Sequence, residues 1–290
     1  MKSPSSFLFS KYSGCGNDFV MVDNRENTFP SQKKEFIAQV CHRAQGIGAD
    51  GLILLEHSSK ASFKMRYFNA DGSEAEMCGN GIRCFGKFLL ELGFPKQNTN
   101  IELGNRCISL SYKENLICVD MCTPNDFRWD LTIPTKSHVF QGHYLDTGVP
   151  HVVVFVPDLD SIDVFQIGKE IRHHSLFAPK GTNVNFVSFQ NPRLLEIRTF
   201  ERGVEAETLA CGSGATAAAL AVAHTQGLEG PFQVKTRSQE IIEINFAKKK
   251  DAIHNLQMTG PARQVFKGIY LAEEVLMENP VENCLAYSVK

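Results

Sequence analysis

The chain repeats itself, and the form of the repeat restricts its fold more than any other feature. Met65-Arg66-Tyr67-Phe68 leads through a glycine turn to Glu74-Ala75-Glu76 and then to Cys78-Gly79-Asn80-Gly81. Ile197-Arg198-Thr199-Phe200 leads through a second glycine turn to Glu205-Ala206-Glu207 and then to Cys211-Gly212-Ser213-Gly214. The second copy is one residue longer: Asn69 to Cys78 is 9 steps and Glu201 to Cys211 is 10. The match extends outward. Gly16 lies 62 residues before Cys78 and Gly148 lies 63 before Cys211, while Asp50 and Asn183 each precede their cysteine by 28. Four matches in one order at nearly equal spacing indicate duplication. The period is too long for a solenoid, so the expectation is two similar domains facing each other.

Local patterns agree. After Cys78, Ile82, Phe85, Leu89 and Leu92 recur at helical steps, and Gly93 ends the run. After Cys211, residues 215–223 are almost wholly apolar, too short for a membrane span, and predict a buried helix ending at Gly227. Earlier helices are expected at about 32–45 and 161–174, with Ser31 and Asp160 as N-caps. Segments 107–112, 116–121, 184–189, 195–200, 232–235, 241–246 and 253–258 read as short strands. The expected class is α+β: two pseudo-symmetric domains, each a curved, largely antiparallel, barrel-like sheet around a central helix. The linker is expected near Thr123-Pro124-Asn125-Asp126.

Each Cys-Gly-x-Gly stands where a turn gives way to a helix. Free amides and the positive end of the helix dipole favour a thiolate there and hold a carboxylate. Two such turns suit one reaction above others. Inverting a carbon α to a carboxylate needs a base on one face and an acid on the other, which a thiolate and a thiol can supply. The charge that develops on the carboxylate would meet two helix ends. In principle this needs neither a metal nor a pyridoxal group. His151 and Glu201 are candidates to tune the thiols. Cys84 falls on the core face of its helix and reads as structural. Cys118 and Cys122 lack a second pair for a zinc site.

The formal net charge is -2, and no basic stripe marks a nucleic-acid binder. No run reaches the roughly 20 apolar residues of a membrane helix, and Phe7-Leu8-Phe9 is too short for a secretory segment. Nine cysteines in no compact framework fit free thiols in a reducing cytoplasm.

Together these residues resemble the diaminopimelate epimerase family. The matching segments are Gly16-Asn17-Asp18-Phe19, Gly46-Ile47-Gly48-Ala49-Asp50-Gly51, Asn69-Ala70-Asp71-Gly72-Ser73, Cys78-Gly79-Asn80-Gly81, Pro150-His151, Asn183-Val184, Glu201-Arg202-Gly203 and Ala210-Cys211-Gly212-Ser213-Gly214. They run in family order from about residue 11 to 271. Proline racemase-like enzymes have Cys-Gly-His-Gly at the first turn, so Asn80 favours the epimerase branch. The resemblance implies a cofactor-independent isomerase with its site in the cleft between domains 1–124 and 125–264, the first completed by about 265–290. It implies interconversion of LL- and meso-2,6-diaminopimelate in lysine and peptidoglycan precursor synthesis. Cys78 and Cys211 become the acid–base pair, with Cys211 accepting and Cys78 donating in the forward direction. Gly79, Asn80, Gly212 and Ser213 hold the reacting carboxylate. Asn17, Asn69, Asn183, Glu201 and Arg202 contact the substrate, Arg202 facing its distal carboxylate. Such enzymes commonly form homodimers. The implied partner is this small amino acid, with no nucleic acid, metal or membrane.

Three residues depart from the family pattern. Val149 stands where Asn usually precedes Pro-His, Gly51 where some members have Gln, and Cys15 where an apolar residue is commoner. They leave open a broader racemase acting on another amino acid such as glutamate. A thiol redox protein using Cys78 and Cys211 is the distant alternative, since redox pairs are often closer in sequence.

Overall fold

A computed structural model describes residues 6–75, 78–249 and 252–272, except for the side chain of Gln190. The first half runs β1 (Ser6–Gly14), β2 (Asn17–Asp23), α1 (Lys34–Cys41), β3 (Gly51–Glu56), β4 (Phe63–Asn69), β5 (Glu74–Ala75), α2 (Gly79–Glu91), β6 (Thr99–Leu103), β7 (Arg106–Lys113) and β8 (Leu116–Asp120). The second runs β9 (Asn125–Pro134), β10 (Val139–Asp146), β11 (Pro150–Phe155), α3 (Val164–Arg172), β12 (Asn183–Asn191), β13 (Leu194–Glu201), β14 (Ala206–Thr208), α4 (Gly212–Gln226), β15 (Phe232–Lys235), β16 (Ile241–Lys249) and β17 (Ala252–Gly260). The last described strand is β18 (Arg263–Leu271).

The two halves repeat each other pairing by pairing. The path β18-β1-β2-β3-β4-β6-β7-β8 in one half matches β9-β10-β11-β12-β13-β15-β16-β17 in the other. Even the parallel steps recur: β2–β3 matches β11–β12, and β4–β6 matches β13–β15. The halves join where β8 meets β17 antiparallel, Ile117 opposite Gly260 and Asp120 opposite Gln257. The repeat predicted from sequence is thus present strand for strand. Each half mixes parallel with antiparallel pairs. Among the described residues no pairing closes either half, so the sheets are curved but open rather than barrels. β18 pairs with β1 of the first half; the rest of the segment expected to complete the first domain, beyond residue 272, lies outside the described residues.

Each central helix explains the curvature. α2 packs against β1, β2, β3, β8 and β18, so the sheet must bend round it. Its buried stripe is Ile82, Phe85, Phe88 and Leu89; burying one such phenylalanine contributes about 2–3 kcal/mol. α4 is buried on all sides from Gly214 to Ala223, mostly by alanines, which lets strands approach every face. Its C-cap, Gly227, takes the left-handed φ of 65° that a glycine permits at no steric cost.

Two sequence expectations change. α1 and α3 are shorter than expected, and neither Ser31 nor Asp160 caps them. Ser31 Oγ instead accepts from Arg66 Nη1 at 2.8 Å. α1 has no side-chain cap, and α3 is capped by Asp163, which accepts from Gln166 N at 3.0 Å. The repeat register also shifts by one. Leu52 stands opposite Phe68 and Val184 opposite Phe200, so Asn183 matches Gly51 rather than Asp50. The extra residue of the second copy lies after β13, in the approach to Cys211. Among the described residues no helix is long and apolar enough to cross a membrane.

Candidate active site

Cys78 and Cys211 are themselves the N-caps of the two central helices. Their sulfurs accept from Gly81 N and Gly214 N, each at 3.4 Å. Both glycines lie close against the Met258 side chain. A Cβ on Gly79 would lie 2.6 Å from Met258 Cε, and one on Gly212 would lie 2.8 Å from Met258 Sδ. Met258, fully buried on β17, thus fills the space between the two helix starts.

Asn80 ties the halves together. Its Nδ2 donates to Ala210 O at 3.3 Å and to Asn17 Oδ1 at 3.5 Å, and its Oδ1 accepts from Arg83 Nη2 at 2.9 Å. Asn17 is oriented in turn. Its Nδ2 donates to Asp50 Oδ2 at 2.5 Å, and a carboxylate can only accept, so Asn17 Oδ1 faces Cys78 Sγ at 3.7 Å. Arg43 holds Asp50 at 2.7 Å and Asp18 at 2.9 Å, and Lys11 reaches Asp18 at 2.8 Å. Burial alone would raise the Asp18 carboxyl, but Arg43 and Lys11 win and bring it to about 2.

A different set surrounds Cys211. Ser213 Oγ lies 3.4 Å from its sulfur and 2.9 Å from His151 Nε2. His151 is fully buried, and burial pushes its pKa down to about 3, with Arg202 acting in the same direction, so the ring is neutral. Glu201 accepts from Thr208 Oγ1 at 2.5 Å and interacts with Cys211. Burial first, and then the Asp50 charge, raise its carboxyl against the Thr208 hydrogen bond.

Both thiols stand above the ordinary cysteine range, which corrects the expectation of depressed ones. Burial pushes Cys78 up to about 11, outweighing the Gly81 N–H. Burial and then the Glu201 charge raise Cys211, against Ser213 and Gly214. The helix-start amides do pull downward, but exclusion of water is the larger effect.

The structure therefore gathers Cys78, Gly79, Asn80, Asn17, Cys211, Gly212, Ser213, His151 and Glu201. The other expected residues are engaged within the fold. Asn183 donates to Pro150 O at 2.9 Å and accepts from Arg202 N at 2.9 Å. Arg202 Nη1 donates to Lys180 O at 3.2 Å. Asn69 ends β4 opposite Gly51 and donates to Ser73 Oγ at 3.1 Å. Val149 is half-buried in the turn before β11. Cys15 is buried with its sulfur 3.2 Å from Arg83 Nη2, and Cys84 is buried in α2. Sequence reasoning missed Arg83 and Met258, and missed the hold that Asp50 has on Asn17. Only Arg83 left a signal, as a charged residue inside an apolar helical stretch.

The family model described as Diaminopimelate epimerase matches residues 9–126 and 143–265. A diaminopimelate epimerase of Aquifex aeolicus is 41% identical over 280 residues, covering 92% of this chain and 99% of the relative. One of Chlorobaculum tepidum is 42% identical over 260 residues, covering 88% and 98%. Among solved structures, a Bacillus anthracis phenazine biosynthesis protein of the PhzF family aligns with a TM-score of 0.71 at 16% identity, covering 92% of this chain and 99% of that one. A hydroxyproline epimerase of Agrobacterium vitis aligns with a TM-score of 0.68 at 14% identity, covering 94% and 95%. These two share the fold. With the family model spanning both halves and relatives matched along almost their whole length, the chain belongs to the diaminopimelate epimerase family.

Proposed function

We propose that Cys78 and Cys211 are the two proton carriers of an isomerase that interconverts LL- and meso-2,6-diaminopimelate. The observation that carries this is the pair of cysteine N-caps at helix starts brought together by Met258 and Asn80. The α-carboxylate would lie across the amides of Gly79-Asn80 and Gly212-Ser213. Cys211 would take the α-proton of the LL isomer while Cys78 returns one to the opposite face. Negative charge would then grow on the carboxylate between two positive helix ends, which stabilise the transition state more than the ground state. Asn17, Asn69, Asn183, Glu201 and Arg202 would contact the substrate, Arg202 by a charge-assisted pair with its distal carboxylate. We take 1–124, completed by about 265–290, and 125–264 as the two domains, and the cytoplasm, where thiols stay reduced, as the working compartment. A broader racemase reading is favoured by Val149 alone, because valine offers no hydrogen bond to a distal polar group.

Deuterium wash-in at the α-carbon in D2O under reducing conditions tests both readings, with glutamate in parallel. The expected result is incorporation with inversion on diaminopimelate and little on glutamate. Faster turnover of glutamate would replace the first reading with the second.

A homodimer is proposed through the first half. Leu8, Ile269 and Leu271 are exposed and share one face of the β1–β18 pair. Among the described residues β18 pairs with β1 alone, leaving an open edge beside that apolar row. Light scattering should give a dimer mass for the parent and a monomer mass for Ile269→Lys. A variant that stays dimeric would remove this face from consideration.

A further inference from the structure

We infer that Asn185 and Ser213 are positioning residues: Asn185 fixes the tautomer of His151, and the His151–Ser213 hydrogen bond then aims the Ser213 hydroxyl proton at Cys211 Sγ. This rests on the reading of Cys211 as a proton carrier.

The argument is one of donors and acceptors. Asn185, fully buried on β12, places Nδ2 2.9 Å from Val152 O and 3.1 Å from His151 Nδ1. A carbonyl oxygen can only accept, so the atom facing Val152 is the amide nitrogen. The opposite amide orientation would set two acceptors against each other. With Nδ2 so placed, Thr199 Oγ1 donates to Asn185 Oδ1 at 3.1 Å. His151 Nδ1 therefore accepts and carries no proton. A neutral imidazole has one N–H, which must then be on Nε2. Nε2 donates to Ser213 Oγ at 2.9 Å, filling an acceptor position on that oxygen. The remaining near partner of the hydroxyl is Cys211 Sγ at 3.4 Å, where the proton is directed.

A hydroxyl donating to sulfur favours the thiolate over the thiol. The opposite holds across the site. Asn17 presents an acceptor to Cys78, because Asp50 occupies its amide nitrogen. The Ser213 effect is thus confined to one of the two sulfurs. The other titratable or charged groups acting on Cys211 are Glu201 at the end of β13 and Cys78 at the start of α2. Arg202 acts on His151. Glu201 and Cys78 act on Cys211 through charge and raise it, opposite in direction to the Ser213 hydroxyl.

The test is the pH dependence of alkylation by iodoacetamide, followed separately at Cys78 and Cys211 by peptide mass spectrometry. Altered access changes the plateau rate, whereas altered hydrogen bonding moves the midpoint. Losing one hydrogen bond to a charged acceptor should raise the Cys211 midpoint by about one pH unit in Ser213→Ala, with Cys78 unmoved. Ser213→Thr keeps a hydroxyl and should restore the midpoint. Asn185→Leu should reproduce the shift. Imidazole nitrogen NMR of the parent, with His151 assigned by loss of its signals in His151→Gln, should show the proton on Nε2. A parent ring protonated on Nδ1, or an unmoved Cys211 midpoint in Ser213→Ala, would overturn the inference. If Asn185→Leu fails to fold, the two Ser213 variants and the parent spectrum decide alone. Failure of the parent to epimerise diaminopimelate is a separate outcome. It would remove the functional reading while leaving the hydroxyl geometry to stand or fall on the midpoints.

Discussion

Cys78→Ala and Cys211→Ala should each lower inversion of diaminopimelate by about 10³-fold, within the range expected for removing one general acid or base. The two losses should differ in kind. Each variant keeps one thiol, and that thiol can still remove the α-proton of whichever isomer presents it to that face. With no donor opposite, deuterium returns to the face it left. Cys78→Ala should therefore exchange the α-proton of the LL isomer with retention and leave the meso isomer untouched. Cys211→Ala should do the reverse. Chiral separation combined with mass measurement after incubation in D2O reads both quantities. Inversion at near-parent rates in either variant would remove that thiol from the mechanism. The same exchange specificity in both would mean that the two thiols do not serve opposite faces.

Arg83→Ala should cost about 3–5 kcal/mol of stability. Arg83 is fully buried and is the largest fully buried side chain among the described residues. Besides Asn80 Oδ1, it reaches Cys15 Sγ at 3.2 Å, Met258 Sδ at 3.3 Å and Pro261 O at 3.4 Å. Among the described residues no carboxylate lies within ion-pair distance of it; Glu240 approaches only through Cys15, which it hydrogen-bonds. Removing the side chain leaves a cavity and takes the donor from Asn80 Oδ1, which then loosens the link to Ala210. Thermal unfolding should begin on the order of 10 °C lower at the usual slope for chains of this size. Arg83→Met refills most of the volume while omitting the charge, so it should recover part of that loss. An alanine variant melting within a degree or two of the parent would show that the guanidinium contributes nothing net at the seam.

How much of this was legible in the sequence follows from the range over which each signal acts. The duplication could be read because spacing survives divergence, and both central helices could be read because their glycine turns and apolar steps are local. The one-residue register error at Asp50 and Asn183 arose because the extra residue of the second copy can be placed anywhere between matched motifs until strand pairing locates it. The caps at Ser31 and Asp160 failed for a similar reason. A capping residue type is common in turns, and Ser31 satisfies Arg66 instead. The raised thiols were not legible at all. Helix-start amides are implied by local sequence, whereas the dehydration that outweighs them depends on how closely the other half packs. Asp50 reaches Asn17, Arg83 reaches Cys15 and Met258, and Asn185 reaches His151, all across long sequence separations. Asn185 meets His151 from 34 residues away, and Met258 reaches Arg83 from 175.

The return of β18 to β1 sets the order in which this chain can become itself during synthesis. Ser6–Gly14 emerges before the other described strands, yet one of its two neighbours, Arg263–Leu271, is made some 250 residues later. β8 likewise waits for β17, and Arg83 waits for Met258 and Pro261. Until then the nascent first half carries two unpaired strand edges and a guanidinium that has Asn80 and Cys15 but lacks Met258 and Pro261. A fragment ending near residue 124 would keep those defects permanently. The duplicated halves therefore mature together, however independent their ancestors were, and truncation anywhere before β18 should yield aggregation rather than a working half.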